Sequence, residues 1–389
     1  MVTDVIIMAG GSGTRLWPAS ARHLPKQYLA VDGEQSFFDL ALKRAHSVLD
    51  SAADETQTPE GRLIIIAAAS HLPLVKACVS RGTESEKART LLVNEPVARN
   101  TAPAMACAVA LIQKALGADR SALVLTSDHL IEPIGDFLAD VGRADALARE
   151  CWLCVFGIPP THPATGFGYI EQGQAIANHP GCYQVEGFRE KPDEATARAF
   201  LDKGGFSWNS GMFCFATDRL AAAFDEYAPA ILAPFMGLPD PVIATNDIGS
   251  LEVASWPGLE GAYHSAPATS FDYAIAEKAR HRALVPASFA WRDIGSWDDW
   301  AAMHEAKRAA GDKESLDVGK AQGIAVESRN CFVDSDIPVA LCEVDDLIVV
   351  IRKGENGEEP RALVCRRGAS QRVKDVVEAL KGAGREELL

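Results

Sequence analysis

No run in this 389-residue chain approaches the about eighteen uninterrupted apolar residues of a membrane-spanning helix. The first residues start a strand-like run rather than a basic, apolar leader. The protein is therefore expected to be soluble and cytoplasmic, with no membrane partner. Basic residues are in deficit: 38 Lys and Arg face 53 Asp and Glu, a formal net charge of −15. A field of that sign repels polyanions and argues against a nucleic-acid partner, so an anionic substrate has to be held by local cations. The nine cysteines are an odd number without the density of a disulfide scaffold, which fits a reducing compartment. Cys107, Cys154 and Cys214 sit in apolar runs, where cysteine packs as a small hydrophobe. Cys151 and Cys154 have the spacing of a redox or zinc hook, yet no second pair accompanies them. Their neighbours Trp152, Leu153, Val155 and Phe156 read as a core strand. No period of twenty to fifty residues is evident, so no solenoid is legible from the sequence alone.

What is present is ordinary globular composition, 48% hydrophobic and 23% charged, in a chain longer than one average domain. Strand-like runs at 5–9, 63–69, 91–93, 122–125 and 153–157 alternate with helix-like stretches at 37–49, 72–79, 101–116 and 137–149. Such alternation predicts an α/β fold, doubly wound around a mostly parallel sheet. Ligands in these sheets bind beyond the carboxyl ends of the strands. After residue 160 come β-rich segments at 168–171, 183–190 and 212–215, then a helical region over 218–254 and a helix over 297–308. The polar stretch 309–318 reads as a linker. Beyond it, strand-like pieces at 324–326, 339–342, 347–351 and 362–365 precede an amphipathic helix near 371–380. The expected domains are residues 1–308 and a small β-rich domain at 315–389.

The first thirty residues carry the chemistry. The apolar run Val5-Ile6-Ile7-Met8-Ala9 reads as a strand buried on both faces. It leads into Gly10-Gly11-Ser12-Gly13-Thr14-Arg15-Leu16-Trp17-Pro18, and then Pro25-Lys26-Gln27. Glycines let the backbone approach a ligand and present its N–H groups to phosphate oxygens, and Arg15 and Lys26 add full positive charge. A bare tight turn is the competing reading, weakened by the two cations. A P-loop needs Lys followed by Ser or Thr after its last glycine, where this chain has Thr14-Arg15. The dinucleotide fingerprint needs a third glycine where Leu16 stands, although Asp32 lies at a tolerable distance for a ribose contact.

These residues resemble the signature of the nucleotidyltransferases that make nucleotide sugars, and Trp17 with Pro25-Lys26-Gln27 is most similar to the mannose-1-phosphate guanylyltransferase group. Further blocks agree in order: Asn100-Thr101-Ala102-Pro103-Ala104, Ser127-Asp128-His129, Gly166-Phe167-Gly168-Tyr169-Ile170 and Phe188-Arg189-Glu190-Lys191-Pro192. Trp208-Asn209-Ser210-Gly211, Ser270-Phe271-Asp272-Tyr273-Ala274 and Trp291-Arg292-Asp293-Ile294-Gly295 complete the set. The resemblance implies a Rossmann-like nucleotidyltransferase domain, with GTP and mannose 1-phosphate as substrates. Thr126 stands where the family commonly has proline, and Ala276 replaces a usual methionine. The chain leaves no room for the fused isomerase domain of longer relatives, so no isomerase activity is expected.

Joining a sugar 1-phosphate to a nucleoside triphosphate is an in-line attack on the α-phosphorus, and the nucleophile is already an anion because its second pKa is about 6. No general base is required; charge neutralisation and alignment are. Magnesium, or another divalent cation, supplies both and prefers one or two carboxylates. The resemblance implies Asp128 and Asp293 as those ligands, with a helix cap or turn acid as the bland alternative for Asp128. His129 reads first as a packed structural group, and otherwise as a support for the aspartate or a phosphate. Ala9, Gly10, Gly11, Ser12, Gly13 and Thr14 are expected against the nucleotide, with Arg15 and Lys26 on its phosphates. Lys191 is expected to grip the sugar phosphate, with Glu190 and Asn209 on sugar hydroxyls and the sugar lying on Gly168. Glu95, with Asn100 and Thr101 nearby, is the candidate reader of the guanine donor edge, or else a helix-start or surface acid.

Three rivals remain at this level: the same reaction with another sugar or base, a non-catalytic nucleotide-sugar sensor, and a dinucleotide oxidoreductase. The tail carries no matched catalytic residue, and the resemblance leaves open a β-helix there, since some relatives stack such tails in that way. It is expected to support a homodimer, and truncation at Asp312 to leave measurable activity.

Overall fold

The computed structural model describes residues 2–11, 13–21, 23–31, 33–53, 61–246, 248–306, 316–317, 323–354 and 359–389. Ser12 and Asp32 lie outside them, as does the expected linker apart from residues 316–317. The chain separates into two compact units, both discontinuous in sequence.

The first unit comprises Met1–Gly10, Asp39–Ser127 and Ile131–Trp291. Its early strands are β1 (Asp4–Met8), β2 (Arg62–Ala68), β3 (Thr90–Glu95) and β4 (Ser121–Thr126), with β5 (His129–Glu132) beginning in the other unit. Then come β6 (Leu153–Ile158), β7 (Tyr169–Ala175), β8 (Tyr183–Arg189) and β9 (Phe206–Ala216). β10 (Val242–Thr245), β11 (Glu252–Ser255), β12 (Arg282–Pro286) and β13 (Ala290–Asp293) follow. Eleven of them form one sheet in the order β10-β11-β3-β2-β1-β4-β9-β6-β12-β8-β7. Neighbours from β11 to β4 are parallel, as expected of a doubly wound fold. The long β9 runs antiparallel between β4 and β6, so the sheet as a whole is mixed.

Why β1 is a strand is plain from its surroundings. Asp4 through Ile7 are fully buried between β2 and β4, where β-branched side chains fit a pleated surface covered on both faces. The buried Asp4 carboxylate accepts two 2.6 Å bonds from the Arg120 guanidinium, so the strand's polar start is paired. The helix Thr101–Leu111 is buried along its length from Ala102. Its alanines keep it slim enough to lie flush in the core, which a bulkier amphipathic helix cannot do. The helical region expected over 218–254 is corrected: helices Thr217–Tyr227 and Pro229–Met236 end there, and 242–255 supplies β10 and β11. That short antiparallel pair extends the sheet past β3, a tertiary pairing that overrides weak local preference.

The second unit comprises Gly11–Phe38, Asp128–Leu130 and Arg292–Leu389. Its tail strands are β14 (Leu316–Asp317), β15 (Ile324–Val326), β16 (Phe332–Ser335), β17 (Ala340–Cys342), β18 (Leu347–Arg352) and β19 (Arg361–Arg366). The tail is β-rich, as expected, and it contains a solenoid that no sequence period displays. Leu316 pairs in parallel with Phe332 and Phe332 with Ile348, while Ile324 pairs with Ala340, a step of sixteen residues each time. Left-handed corners recur with the same step, at Glu327 and Glu343 and at Asn330 and Asp346. This is a short parallel β-helix with Cys331, Val333, Leu341 and Val349 inside. A sixteen-residue coil falls below the repeat lengths expected of most solenoids, and two turns give little self-similarity to detect. Among the described residues, no helix is long and apolar enough to cross a membrane.

Candidate active site

In the second unit three separate segments converge on one ammonium group. Lys26, buried in the turn Lys26–Tyr28, donates from Nζ to Asp128 Oδ2 at 2.9 Å and to Asp293 Oδ1 at 2.7 Å. Asp128 sits in the turn between β4 and β5, and Asp293 ends β13, which pairs with β5 in a two-stranded sheet. Directly after it, Ser296 caps the helix Trp297–Glu305 by accepting from Asp299 N, so Asp293 is held between a strand end and a helix start. His129 Nε2 lies 3.7 Å from Asp128 Oδ1 and 3.9 Å from Asp293 Oδ1. One ligand atom from each of Asp128, His129 and Asp293 falls within 4.8 Å of the others.

Burial alone would push the Lys26 ammonium down, but Asp128 and Asp293 more than offset it and raise it above its ordinary value. Burial likewise works to raise the Asp128 carboxyl, and Lys26 with His129 brings it well below the usual carboxylate range. The donor set fits a hard divalent cation: two carboxylates, each still partly open to solvent, already draw one positive charge between them.

The glycine loop is shaped around this lysine. Gly13 has φ +57°, and a Cβ there would fall 2.3 Å from the Lys26 Cβ, so only glycine fits. Ser20 Oγ donates to Gly13 O at 2.7 Å and Gln27 Nε2 to Gly11 O at 3.4 Å, which pins the loop from behind. Arg15, exposed next to Thr14, donates from its guanidinium to Gln371 Oε1 at 3.2 Å. The Trp17 indole N–H reaches Leu388 O at 2.7 Å, and the Trp297 indole N–H reaches Trp17 O at 2.8 Å. Asp298 accepts from the backbone N–H of Gly368 and of Ser370. The C-terminal segment thus bonds to the signature loop itself, which nothing in the sequence around Ser370 and Gln371 announces.

In the first unit the sugar-side candidates gather at the β7–β9 pairing. Asn209 N donates to Gly168 O at 2.8 Å, and a Cβ on Gly168 would fall 2.6 Å from Glu190 Oε2. Lys191, with φ +42°, reaches Glu190 Oε1 at 2.7 Å while its side chain stays 61% exposed. Asn209 gives its amide N–H to Asp272 Oδ1 at 2.8 Å and accepts from Gly211 N at 3.0 Å, so its orientation is set. Asp272 was missed as a site residue, although it lies in the block Ser270–Ala274. Burial first, and the Glu190 charge second, push its carboxyl up to about 6.

The nucleotide-side candidates of the first unit are Ala9, Gly10, Glu95, Asn100 and Thr101. Ala9 N donates to Ile66 O at 2.8 Å, holding the end of β1 to β2. Asn100 accepts from Thr101 N at 2.8 Å, capping the buried helix, and Thr101 Oγ1 accepts from Phe271 N at 2.8 Å. Glu95 is buried at the end of β3, its Oε2 lying 3.8 Å from where a Gly10 Cβ would be. Burial pushes its carboxyl up to about 7, against the pull of a bond from the Arg99 backbone N–H. The folded state therefore prefers Glu95 protonated: that stability is complete below pH 4.5 and is lost as pH rises through about 7. Glu95→Gln is expected to gain on the wild type between pH 5 and pH 8, by up to about 3 kcal/mol in urea unfolding. A difference between the two proteins that does not change with pH counts against this burial.

Residues 4–309 match the family model described as nucleotidyl transferase. Over 388 residues the chain is 33% identical to the alginate biosynthesis protein AlgA of Pseudomonas aeruginosa, covering 98% of this chain and 73% of that one. It is 34% identical over 397 residues to a mannose-1-phosphate guanylyltransferase of Salmonella montevideo, covering 100% of this chain and 75% of that one. A crystal structure described as mannose-1-phosphate geranyltransferase, from Thermus thermophilus, superposes with a TM-score of 0.78 at 27% identity. That superposition covers 98% of this chain and 100% of the other.

Proposed function

The chain belongs to the nucleotidyl transferase family, and we propose that it transfers GMP from GTP to mannose 1-phosphate, giving GDP-mannose and pyrophosphate. The observation that carries this reading is the convergence of Asp128 and Asp293 on one cation position, behind a glycine loop with room only for glycine at residue 13. The name of the Salmonella montevideo relative, mannose-1-phosphate guanylyltransferase, supplies the base and the sugar. A divalent cation, held by Asp128 and Asp293 with His129 beside them, supplies charge neutralisation on the phosphates. Magnesium is the ion proposed.

The remaining roles belong to side chains and backbone. The loop Ala9–Thr14 lies against the triphosphate, and Arg15 and Lys26 neutralise it. Lys26 bonds to both aspartates and so keeps two adjacent carboxylates compatible in one small volume. Glu190 accepts from sugar hydroxyls, Gly168 leaves the sugar a bare backbone to lie on, and Lys191 draws the sugar phosphate. Asn209, fixed by Asp272, orients that pocket. Glu95 reads the guanine edge, with Asn100 and Thr101 shaping the start of the buried helix next to it. No proton has to be removed from the nucleophile, so no side chain serves as a general base. The enzyme is proposed to work in the cytoplasm as a homodimer.

A pyrophosphate-release assay over GTP, UTP and dTTP with mannose and glucose 1-phosphates tests the assignment. Highest kcat/KM is expected for GTP with mannose 1-phosphate; preference for another pair reassigns the substrates. The two lysines should separate by substrate. Lys191→Ala is expected mainly to raise KM for the sugar phosphate, and Lys26→Ala mainly to damage use of GTP. Equal damage to both substrates in both variants removes that division of labour.

A further inference from the structure

We propose that a cavity of about 320 Å³ in the first unit is a second binding site, for a small anion that carries a flat ring. It lies where β6 and β12 begin, against one face of the helix Thr217–Tyr227. That is the amino-terminal edge of the sheet: β6 runs parallel to β12, and both β4 and β6 run antiparallel to β9. Ala9, Gly10 and Glu95 sit at the opposite, carboxyl-terminal edge, so the cavity belongs to neither the nucleotide nor the sugar candidates.

The wall and the rim differ in chemistry. Trp152, Phe215, Leu220 and Tyr227 make an apolar, aromatic wall. Trp152 is held edge-on to His281, ring centroids 5.7 Å apart at 86°. Arg219 and Arg280 stand at the rim with side chains 58% and 81% exposed. Their paired carboxylates are loose: Asp218 Oδ2 is 3.6 Å from Arg219 and Glu226 Oε1 is 3.9 Å from Arg280, both beyond hydrogen-bond reach. Glu226 is the one carboxylate among the lining residues, against two guanidinium groups and a histidine. In a chain of net charge −15, two loosely paired arginines over an aromatic wall are a local exception to the field. Guanidinium groups take a phosphate or carboxylate in bidentate fashion, and the wall takes a planar ring. A volume of 320 Å³ holds a ring with one phosphate and lies at the small end of ligand pockets.

The same cavity contains its own reporter. Cys151, in the left-handed turn that leads into β6, is exposed and lines it. Cys342, in the tail, is the other exposed free thiol. Maleimide labelling of the full chain, read at each cysteine by peptide mass spectrometry, therefore compares the cavity with an unrelated surface in one sample. Adenosine 5′-monophosphate and inorganic phosphate are the probes. Adenosine monophosphate is expected to slow labelling of Cys151 at least ~5-fold at saturation and to leave Cys342 unchanged. Arg219→Ala with Arg280→Ala is expected to raise the half-effective concentration at least ~10-fold, as is phosphate offered without the ring. Ala223→Phe, which fills the cavity while keeping the arginines, should abolish the protection. No slowing at millimolar adenosine monophosphate, protection undiminished in these variants, or equal potency of phosphate alone overturns the proposal. None of these outcomes depends on the transferase reaction.

Discussion

Replacing Asp293 by Asn is expected to lower kcat by about 10²–10³ while the protein stays folded, with Asp128→Asn behaving likewise. An amide of equal size keeps the shape of the side chain but cannot supply the negative charge that a divalent cation and the Lys26 ammonium both require. Lys26 is 5% exposed and shared between the two carboxylates, so each single variant leaves it one anion rather than none. That argues for a modest loss of stability beside a large loss of rate. Steady-state kinetics at saturating magnesium, with thermal unfolding of the same samples, separates the two effects. Near-wild-type kcat in both variants shows that these aspartates do not hold the metal.

Truncation at Asp312 is expected to cost at least ~10²-fold in kcat/KM while leaving measurable activity, a larger loss than a tail without matched motifs suggests. The tail supplies no matched motif, but its last residues hold the signature loop through Gln371 on Arg15 and Leu388 O on the Trp17 indole. Trp17 is 7% exposed, and a buried N–H deprived of its acceptor costs about 1–3 kcal/mol. The Asp298 clasp on Gly368 and Ser370 is lost in the same truncation. Removing only 384–389 spares the β-helix and Gln371, and is expected to give an intermediate loss with cooperative unfolding retained. A truncated chain that keeps full kcat/KM shows that the loop holds its shape without the tail.

Much of the candidate site was legible because its motifs are local in sequence. Gly13 and Lys26 belong to one signature, and the structure explains the pairing: the glycine has no Cβ because the lysine's Cβ occupies that space. Asp128 and Asp293 are far apart along the chain, yet each stands at a strand end inside a recognisable block. Asp272 was in a block as well, but its tie to Asn209 depends on a contact sixty-three residues away that no spacing displays. Glu95 read as an ordinary exposed acid or a base reader. Its raised pKa arises from burial at the end of a parallel strand, and burial depends on what packs over it.

By itself the sequence determined the alternation of apolar strands and helices, the glycine-rich loop after the first strand and the ordered motif blocks. These depend on side-chain periodicity and on residue types that only certain backbones accept. The tertiary structure alone decided the antiparallel course of β9, the sixteen-residue coil of the tail and the grouping of residues 11–38 with the C-terminal segment. Each of these is a choice of partner. A strand's alternation says which face is buried but not which strand will bury it, and the polar Gln371 carries no mark of the arginine it meets.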